Sequence, residues 1–484
     1  MSYSKYWTDI MSEASLKILN EDPKTINAIL KLALHYFPNS IAFRDNQGLS
    51  RTFLQLNEDV GKIRSFLKNK GISCGDHVAI VLGNNYDFVK SYLAITTYGC
   101  VAVLIPLQMP TNNIENITKL TNCKLIIDSS SLPRTLDLTI TSEANINFDT
   151  NATIIFTGGT VGKPKTTMLT HGNLCRGAMN GSYGFKNSLG RIYYDLVPFT
   201  HVFGLVRNLL TGIVTGSEQF LCLDMKDFVN DLSICKPTIL ILVPALAELI
   251  WSLLKQNKQI AGGRLETIIC GGAPVPVILI KRLFAEGVEL LPGYGLTETA
   301  NLVTGNPHPL DKLTSVGRPY DYQELKIIDD ELWIKGENVV KEYYHDDVNT
   351  KISFQDGWFK TGDLAKIDKD GDLYIIGRMK NLIILDNGEK VSPEALESEL
   401  KNYPLVRDSL VYGDTNESGN QVITAEIFPC AEYVKAANVT DIPGSIQKIV
   451  DEINNRLPSY MGMHKIVIRK TDFERNASKK IIRK

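Results

Sequence analysis

The sequence predicts an α/β protein in three parts: a large N-terminal region built on parallel sheets, a small β-rich region, and a small α+β domain at the C-terminus. Three observations carry this. Short apolar runs alternate with helical patterns up to about Leu325, as in strand–loop–helix units. Beyond Leu325 the texture changes to short strands separated by Asp-Gly and Asn-Gly pairs. After "GRMKNL" a new helix opens at "SPEALESELKNY", and 484 residues exceed what one hydrophobic core organises.

In chain order, "TINAILKLALHYF" places apolar residues at helical spacing, "HVAIVLGN" reads as a buried strand, "YDFVKSYLAITTYG" as a helix, and "CVAVLIPL" as a second strand. The pattern continues through "KLIIDSS", "TIIFTGGT", "TILILVPALAELI" and "ETIICGGAPVPVILIKRLF". Such units put loops at the carboxyl ends of strands, where open α/β sheets hold ligands. Asp356-Gly357, Asp370-Gly371 and Asn387-Gly388 are hairpin signals in the β-rich stretch. Ser392 is a candidate N-cap, with Pro393 at the first helical position. The boundary within "GRMKNL" divides the chain into 1–378 and 379–484.

Composition narrows the function. Lys and Arg number 52 against 54 Asp and Glu, so no broad basic field exists to hold nucleic acid or an anionic membrane, and any phosphate site must be local. The eight cysteines are scattered without metal-ligand spacing, as expected of reduced thiols in a cytoplasmic protein. No signal peptide is expected in the polar N-terminus. The most apolar stretch, from Pro237, is interrupted by Pro244 and Glu248 and reads as a buried strand feeding an amphipathic helix rather than a span.

The chemistry centres on "FTGGTVGKPKTTMLTHGNL", Phe156 to Leu174, directly after an apolar strand. Glycines there let several N–H groups converge on an anion. The Walker A pattern fails, because Pro164 follows Lys163 and removes a donor. A mobile surface turn is the bland reading of such a loop alone. Its companions decide against that: "VPFTHVFGL", "CGGAP", "LPGYGLTETA", "VGRP", "WFKTGDLA", "GRMKNLIILDNGEKVSPEALE" and "RNASKKIIRK" follow in that order.

With these motifs the chain resembles the adenylate-forming superfamily of acyl-CoA synthetases, peptide-synthetase adenylation domains and beetle luciferase, over nearly its whole length. The resemblance implies Rossmann-like parallel-sheet subdomains, a small β-rich subdomain and a mobile C-terminal domain. It also implies ATP-dependent conversion of a carboxylic acid to its acyl-adenylate, with release of pyrophosphate, then transfer to a thiol. Thr157, Gly158, Gly159, Thr160, Gly162, Lys163 and Lys165 match the loop that wraps the β- and γ-phosphates. Gly158, Val161 and Thr166 replace the family's usual Ser, Thr and Gly, removing two hydroxyl donors. Gly271, Gly272, Ala273, Pro274 and Tyr294 match the adenine-binding segments, Thr297 the α-phosphate contact, and Glu298 the Mg²⁺ ligand. Asp363 matches the carboxylate that takes the ribose hydroxyls, and Arg378 a second ribose or phosphate contact. Lys480 matches the catalytic lysine, although Lys479 stands where the family has glycine, and Lys380 matches the hinge.

For the acid, His201, Val202, Phe203 and Leu205, with Gly293 and Ala300, match pocket positions, and His201 matches the residue beside the substrate carboxylate. The bland reading of His201 is a satisfied core histidine. "VPFTHVFGL" contains no carboxylate to pair an ammonium, which disfavours an α-amino acid and favours an apolar fatty or aromatic one. The thiol is coenzyme A or the phosphopantetheine arm of an acyl or peptidyl carrier protein. A luciferase-like oxygenase, a phosphotransferase releasing ADP, and a degenerate nucleotide-binding regulator are the readings from other classes.

Overall fold

The computed structural model describes residues 3–132, 140–157, 165–386, 388–415, 421–475 and 481–483. Strands β1 (Ile41–Arg44) and β2 (Ser50–Thr52) form an antiparallel pair at the edge of a nine-stranded sheet. Before completing it, the chain builds a five-stranded sheet from β3 (His77–Ile80), β4 (Val101–Leu104), β5 (Cys123–Ile127), β6 (Asn151–Thr157) and β7 (Lys165–Thr170). Its order is β5-β3-β4-β6-β7, parallel except where β7 returns antiparallel to β6 across the glycine loop.

The chain then completes the first sheet with β8 (Ile192–Asp195), β9 (Glu218–Leu221), β10 (Ile239–Leu242), β11 (Thr267–Cys270), β12 (Glu289–Tyr294), β13 (Thr304–Gly305) and β14 (Arg318–Pro319). The order β14-β13-β12-β11-β10-β8-β9-β1-β2 is parallel from β12 through β9 to β1. All four residues of both β10 and β11 are buried, as expected of a parallel sheet covered on two faces. Within β8, period-two alternation sends Tyr193 to one face with Phe203, Ile241, Ile269 and Leu291, and Tyr194 to the other with Phe220 and Phe228. The largest core joins the N-terminal segment around Trp7 to helices Ile26–Tyr36, Phe53–Asn69, Tyr86–Thr97 and His171–Asn180.

The β-rich part is an antiparallel sheet of β15 (Gln323–Ile328), β16 (Glu331–Gly336), β17 (Phe354–Gln355), β18 (Trp358–Ile367) and β19 (Leu373–Arg378). Asp356 and Gly357 adopt φ of 51° and 78° between paired Gln355 and Trp358, the two-residue hairpin the Asp-Gly signal predicts. A second such turn, Asp329-Asp330 at φ 49° and 65°, carries no glycine signal. Aspartate tolerates left-handed backbone well enough to serve there.

The last part contains the hairpin of β20 (Ile383–Ile384) and β21 (Lys390–Val391), with Asn387 outside the described residues. It also contains a three-stranded sheet of β22 (Val406–Thr415), β23 (Gln421–Pro429) and β24 (Met463–Ile468), packed on helices Pro393–Lys401 and Ile442–Asn454. Ser392 caps the first of these helices, accepting from Ala395 N, with Pro393 at its first position as predicted. Among the described residues, no helix is long and apolar enough to cross a membrane.

Candidate active site

Three predicted residues from separate segments meet at one carboxylate. Asp363 on β18 lies opposite Arg378 on β19, and Tyr294 ends β12. Tyr294 donates its phenol to Asp363 Oδ2 at 2.5 Å, while Arg378 Nε pairs with Oδ1 at 2.7 Å. Asp363 is 1% exposed. Burial, with the Asp363 charge beside it, pushes the Tyr294 phenol well above its ordinary value, so it remains a donor at neutral pH. A carboxylate held from one side and capable of accepting several hydrogen bonds fits a vicinal diol.

A second constellation forms around β7. Lys165 Nζ lies 3.3 Å from Tyr343 Oη, 3.3 Å from Ser353 Oγ, and 4.5 Å from the centroid of the Tyr343 ring. Tyr343 donates to Glu298 Oε1 at 2.8 Å. Glu298 belongs to the short 3₁₀ turn Thr297–Thr299, which continues into Ala300 and Asn301 at positive φ. Gly295 permits that turn, since an added Cβ there would sit 1.1 Å from Asn301 O. Lys380 shares this region with Arg378, Asp363 and Lys165, and burial together with the Arg378 charge lowers its pKa. The charged residues fit a nucleotide in kind: cations for phosphate, carboxylates for ribose and metal. Among the described residues no three His, Cys, Asp or Glu side chains cluster as a metal cage. Glu298 still suits Mg²⁺, which takes one or two carboxylates and completes its shell with water and phosphate.

On the acid side, the segment Phe203–Leu210 forms a π-helix rather than an ordinary α-helix. Wide turns of this kind concentrate at functional sites. Gly204 allows the segment to press on the preceding loop, since a Cβ there would meet Pro198 O at 2.3 Å. Phe203 faces β8, β10, β11 and β12, and its ring comes within 3.6 Å of where a Gly271 Cβ would be. That contact joins the predicted acid-binding and adenine-binding segments. Gly293 pairs with Gly305, and Gly272, Ala273 and Pro274 are exposed at the end of β11.

Other assignments on this side move. His201 is exposed and its Nδ1 accepts from Phe203 N at 3.2 Å, so the core-histidine reading is wrong. Val202 and Leu205 turn into the large core instead of joining Phe203, because the helix presents them to its opposite face. Ala300 is fully buried, its carbonyl so close to the helix His171–Asn180 that a Cβ at Gly177 would lie 2.4 Å from it.

Gly158, Gly159, Thr160, Gly162 and Lys163, along with Lys479 and Lys480, lie outside the described residues. Thr157, whose backbone pairs with Lys165, ends β6. The described residues on either side of Lys479 and Lys480 are held in place. Arg475 pairs with Asp408, Ile481 bridges back to Arg475, and Arg483 reaches Glu397 at 2.7 Å. Burial pushes the Glu397 carboxyl up to about 7, against the pull of Arg483.

Two residues escaped sequence reasoning. Tyr343 sits in an irregular segment whose pairing with Thr167 no local pattern announces. Arg207 looks like a surface residue of an amphipathic helix but is 2% exposed.

Comparison with known proteins gives the family. The family described as AMP-binding enzyme matches residues 30–344, and the AMP-binding enzyme C-terminal domain matches residues 380–484. The 2-succinylbenzoate–CoA ligase of Geobacillus sp. is 28% identical over 480 residues, covering 92% of this chain and 94% of that protein. The Bacillus subtilis ligase of the same description is 28% identical over 467 residues, covering 89% and 92%. The structure of o-succinylbenzoate coenzyme A synthetase from Bacillus subtilis with ATP and magnesium superposes with a TM-score of 0.78 at 26% identity, covering 94% of this chain and 98% of that one. An anthranilate CoA ligase with anthranoyl-AMP shares the fold, with a TM-score of 0.84 at 21% identity and coverage of 96% and 97%.

Proposed function

The chain belongs to the family of AMP-binding enzymes, in the class of AMP-forming acid–thiol ligases, and on that premise we propose that it activates an aromatic carboxylic acid with ATP and Mg²⁺ and transfers it to coenzyme A. The observation that carries this reading is the buried Asp363 carboxylate between Tyr294 and Arg378, in a site that also holds Lys165, Tyr343 and Glu298.

In this reading Asp363 takes the ribose hydroxyls, and Arg378 shifts to a ribose or phosphate oxygen. Tyr294 and the Gly271–Pro274 segment flank adenine, where the exposed residues that follow β11 leave room for a flat ring. Thr297 would donate to the α-phosphate, Glu298 would hold Mg²⁺, and Lys165, with the loop residues that follow Thr157, would stabilise the departing pyrophosphate. When bound, Mg²⁺ neutralises phosphate charge as a Lewis acid. Lys480 would supply the cation for the charge that develops between the attacking carboxylate and the α-phosphate. His201, exposed at the start of the π-helix, lies beside the carboxylate that reacts. Residues 379–484 act as a mobile domain hinged at Lys380 that serves the two half-reactions in turn. The use of ATP and coenzyme A as co-substrates supports a cytoplasmic setting.

The acceptor is tested by offering ATP, Mg²⁺ and 2-succinylbenzoate together with coenzyme A or a holo carrier protein, with mass spectrometry of the products. Acyl-CoA is expected. Acylation of the carrier's phosphopantetheine arm alone would replace coenzyme A by a carrier protein as partner.

A further inference from the structure

Arg207 is one of the largest fully buried side chains in the protein. Its Nη1 donates to Tyr193 Oη at 3.4 Å, a weak contact near the limit of such bonds, and its guanidinium lies 5.5 Å from the Phe185 ring centroid. Among the described residues no Asp or Glu pairs with it. Other buried arginines are treated differently. Arg176 pairs with Asp22 and Glu337, and Arg64 donates to Thr141 O and Thr97 Oγ1 at 2.8 and 3.0 Å. A guanidinium cannot escape its charge by releasing a proton, so burial without a counter-ion leaves five N–H donors poorly satisfied.

The position of Arg207 supplies the explanation. It follows Phe203 by four residues on the same π-helix, and Tyr193, its partner, belongs with Phe203 in the cluster beneath the proposed acid site. Asp195, two residues along the same strand face as Tyr193, does not compensate it. Its Oδ1 accepts from Asn208 Nδ2 at 2.8 Å instead. Next to Ala300, which meets the helix His171–Asn180 at Gly177 as Val206 of the π-helix does, Asn301 has a second buried donor, Nδ2, without a hydrogen-bond partner. Phe203 reaches toward Gly271 in the proposed adenine-binding segment, whereas Arg207 lies one turn further along the helix.

Resting on the proposed acid activation, we propose that Arg207 is the specificity-determining counter-ion for a second carboxylate, carried by the substrate at the end remote from the carboxyl that is adenylated. The protein then takes a dicarboxylic aromatic acid. A planar guanidinium matches a carboxylate with two parallel hydrogen bonds, and a site built to bind such a group rejects the analogue lacking it.

The test compares ATP–pyrophosphate exchange with 2-succinylbenzoate and with 3-benzoylpropanoate, the same acid without its ring carboxylate, in the wild type, Arg207→Met and Arg207→Lys. The wild type is expected to favour the dicarboxylate about 100-fold in kcat/KM. Arg207→Met should bring that ratio to within a few fold, by loss of the dicarboxylate alone and chiefly through KM, and Arg207→Lys should restore part of it. Equal use of both acids by the wild type, or a parallel loss of both in a folded Arg207→Met, would overturn the role of Arg207 while leaving acid activation intact. Exchange with neither acid would overturn the proposed function and this inference together.

Discussion

Arg176 and Arg207 are both buried arginines on helices of the large domain, and they solve the same electrostatic problem in opposite ways. Arg176 lies 3.8 Å from the Tyr322 ring centroid and pairs with Glu337 at 2.6 Å and Asp22 at 3.2 Å. It ties the N-terminal segment to the β-rich part and is complete without a ligand. Arg207 has a tyrosine hydroxyl and an aromatic ring, and no carboxylate among the described residues. The contrast separates a charge that holds the fold together from one that awaits a counter-ion in the acid site. The Asp363 centre combines both features, since it is paired in this structure by Arg378 and Tyr294 yet open in chemistry to a ribose.

The largest effect should come from stripping Arg176 of its partners. The double substitution Asp22→Asn and Glu337→Gln strands a buried charge and should lower the unfolding free energy by about 3–5 kcal/mol in urea titration. Arg207→Met should instead leave stability unchanged or raise it, because that charge is already unpaired. A comparable loss from Arg207→Met would erase the distinction between the two arginines.

A third buried charge sharpens the comparison by escaping it. Burial pushes the Asp195 carboxyl up to about 7 from 3.8, with the Asn208 amide pulling the other way. The native state therefore binds this proton more tightly than the unfolded chain. Stability is largest below pH 4 as far as this group is concerned, and falls as pH rises toward 7, by up to roughly 4 kcal/mol. Asp195→Asn should flatten that part of the stability profile, read as Tm between pH 4.5 and 8. An unaltered slope would assign the pH dependence to other groups such as Glu397.

Smaller effects probe the nucleotide side. Asp363→Ala removes two hydrogen bonds to a charged acceptor, worth about 3 kcal/mol together, and should lower kcat/KM for ATP about 100-fold. Tyr343→Phe deletes the bond to Glu298 and the weaker one from Lys165, costing about 1–2 kcal/mol of stability. Its effect on the Mg²⁺ concentration needed for half-maximal exchange shows whether the bond to Glu298 orients the carboxylate.

The sequence disclosed β3, β4, β5, β6, β10 and β11 of the two parallel sheets, the Ser392 cap and the Asp356-Gly357 hairpin, because apolar runs, caps and turn chemistry are local signals. Asp363, Arg378, Tyr294, Glu298 and Lys165 were legible through ordered motifs, and the structure brings them together in two neighbouring constellations. The π-helix was not legible, since its wide turn depends on tertiary packing of Gly204 against Pro198 rather than on spacing. For the same reason Val202 and Leu205 could not be told from Phe203: one residue of rotation decides which face meets the core. Tyr343 and Arg207 become significant only through partners remote in sequence, Glu298 for the first and Tyr193 for the second.

The most direct test of the catalytic account is nucleotide product analysis during turnover of the intact protein with ATP, Mg²⁺, 2-succinylbenzoate and coenzyme A. AMP, pyrophosphate and acyl-CoA in equal amounts are the predicted result. ADP and phosphate in place of AMP and pyrophosphate would contradict it.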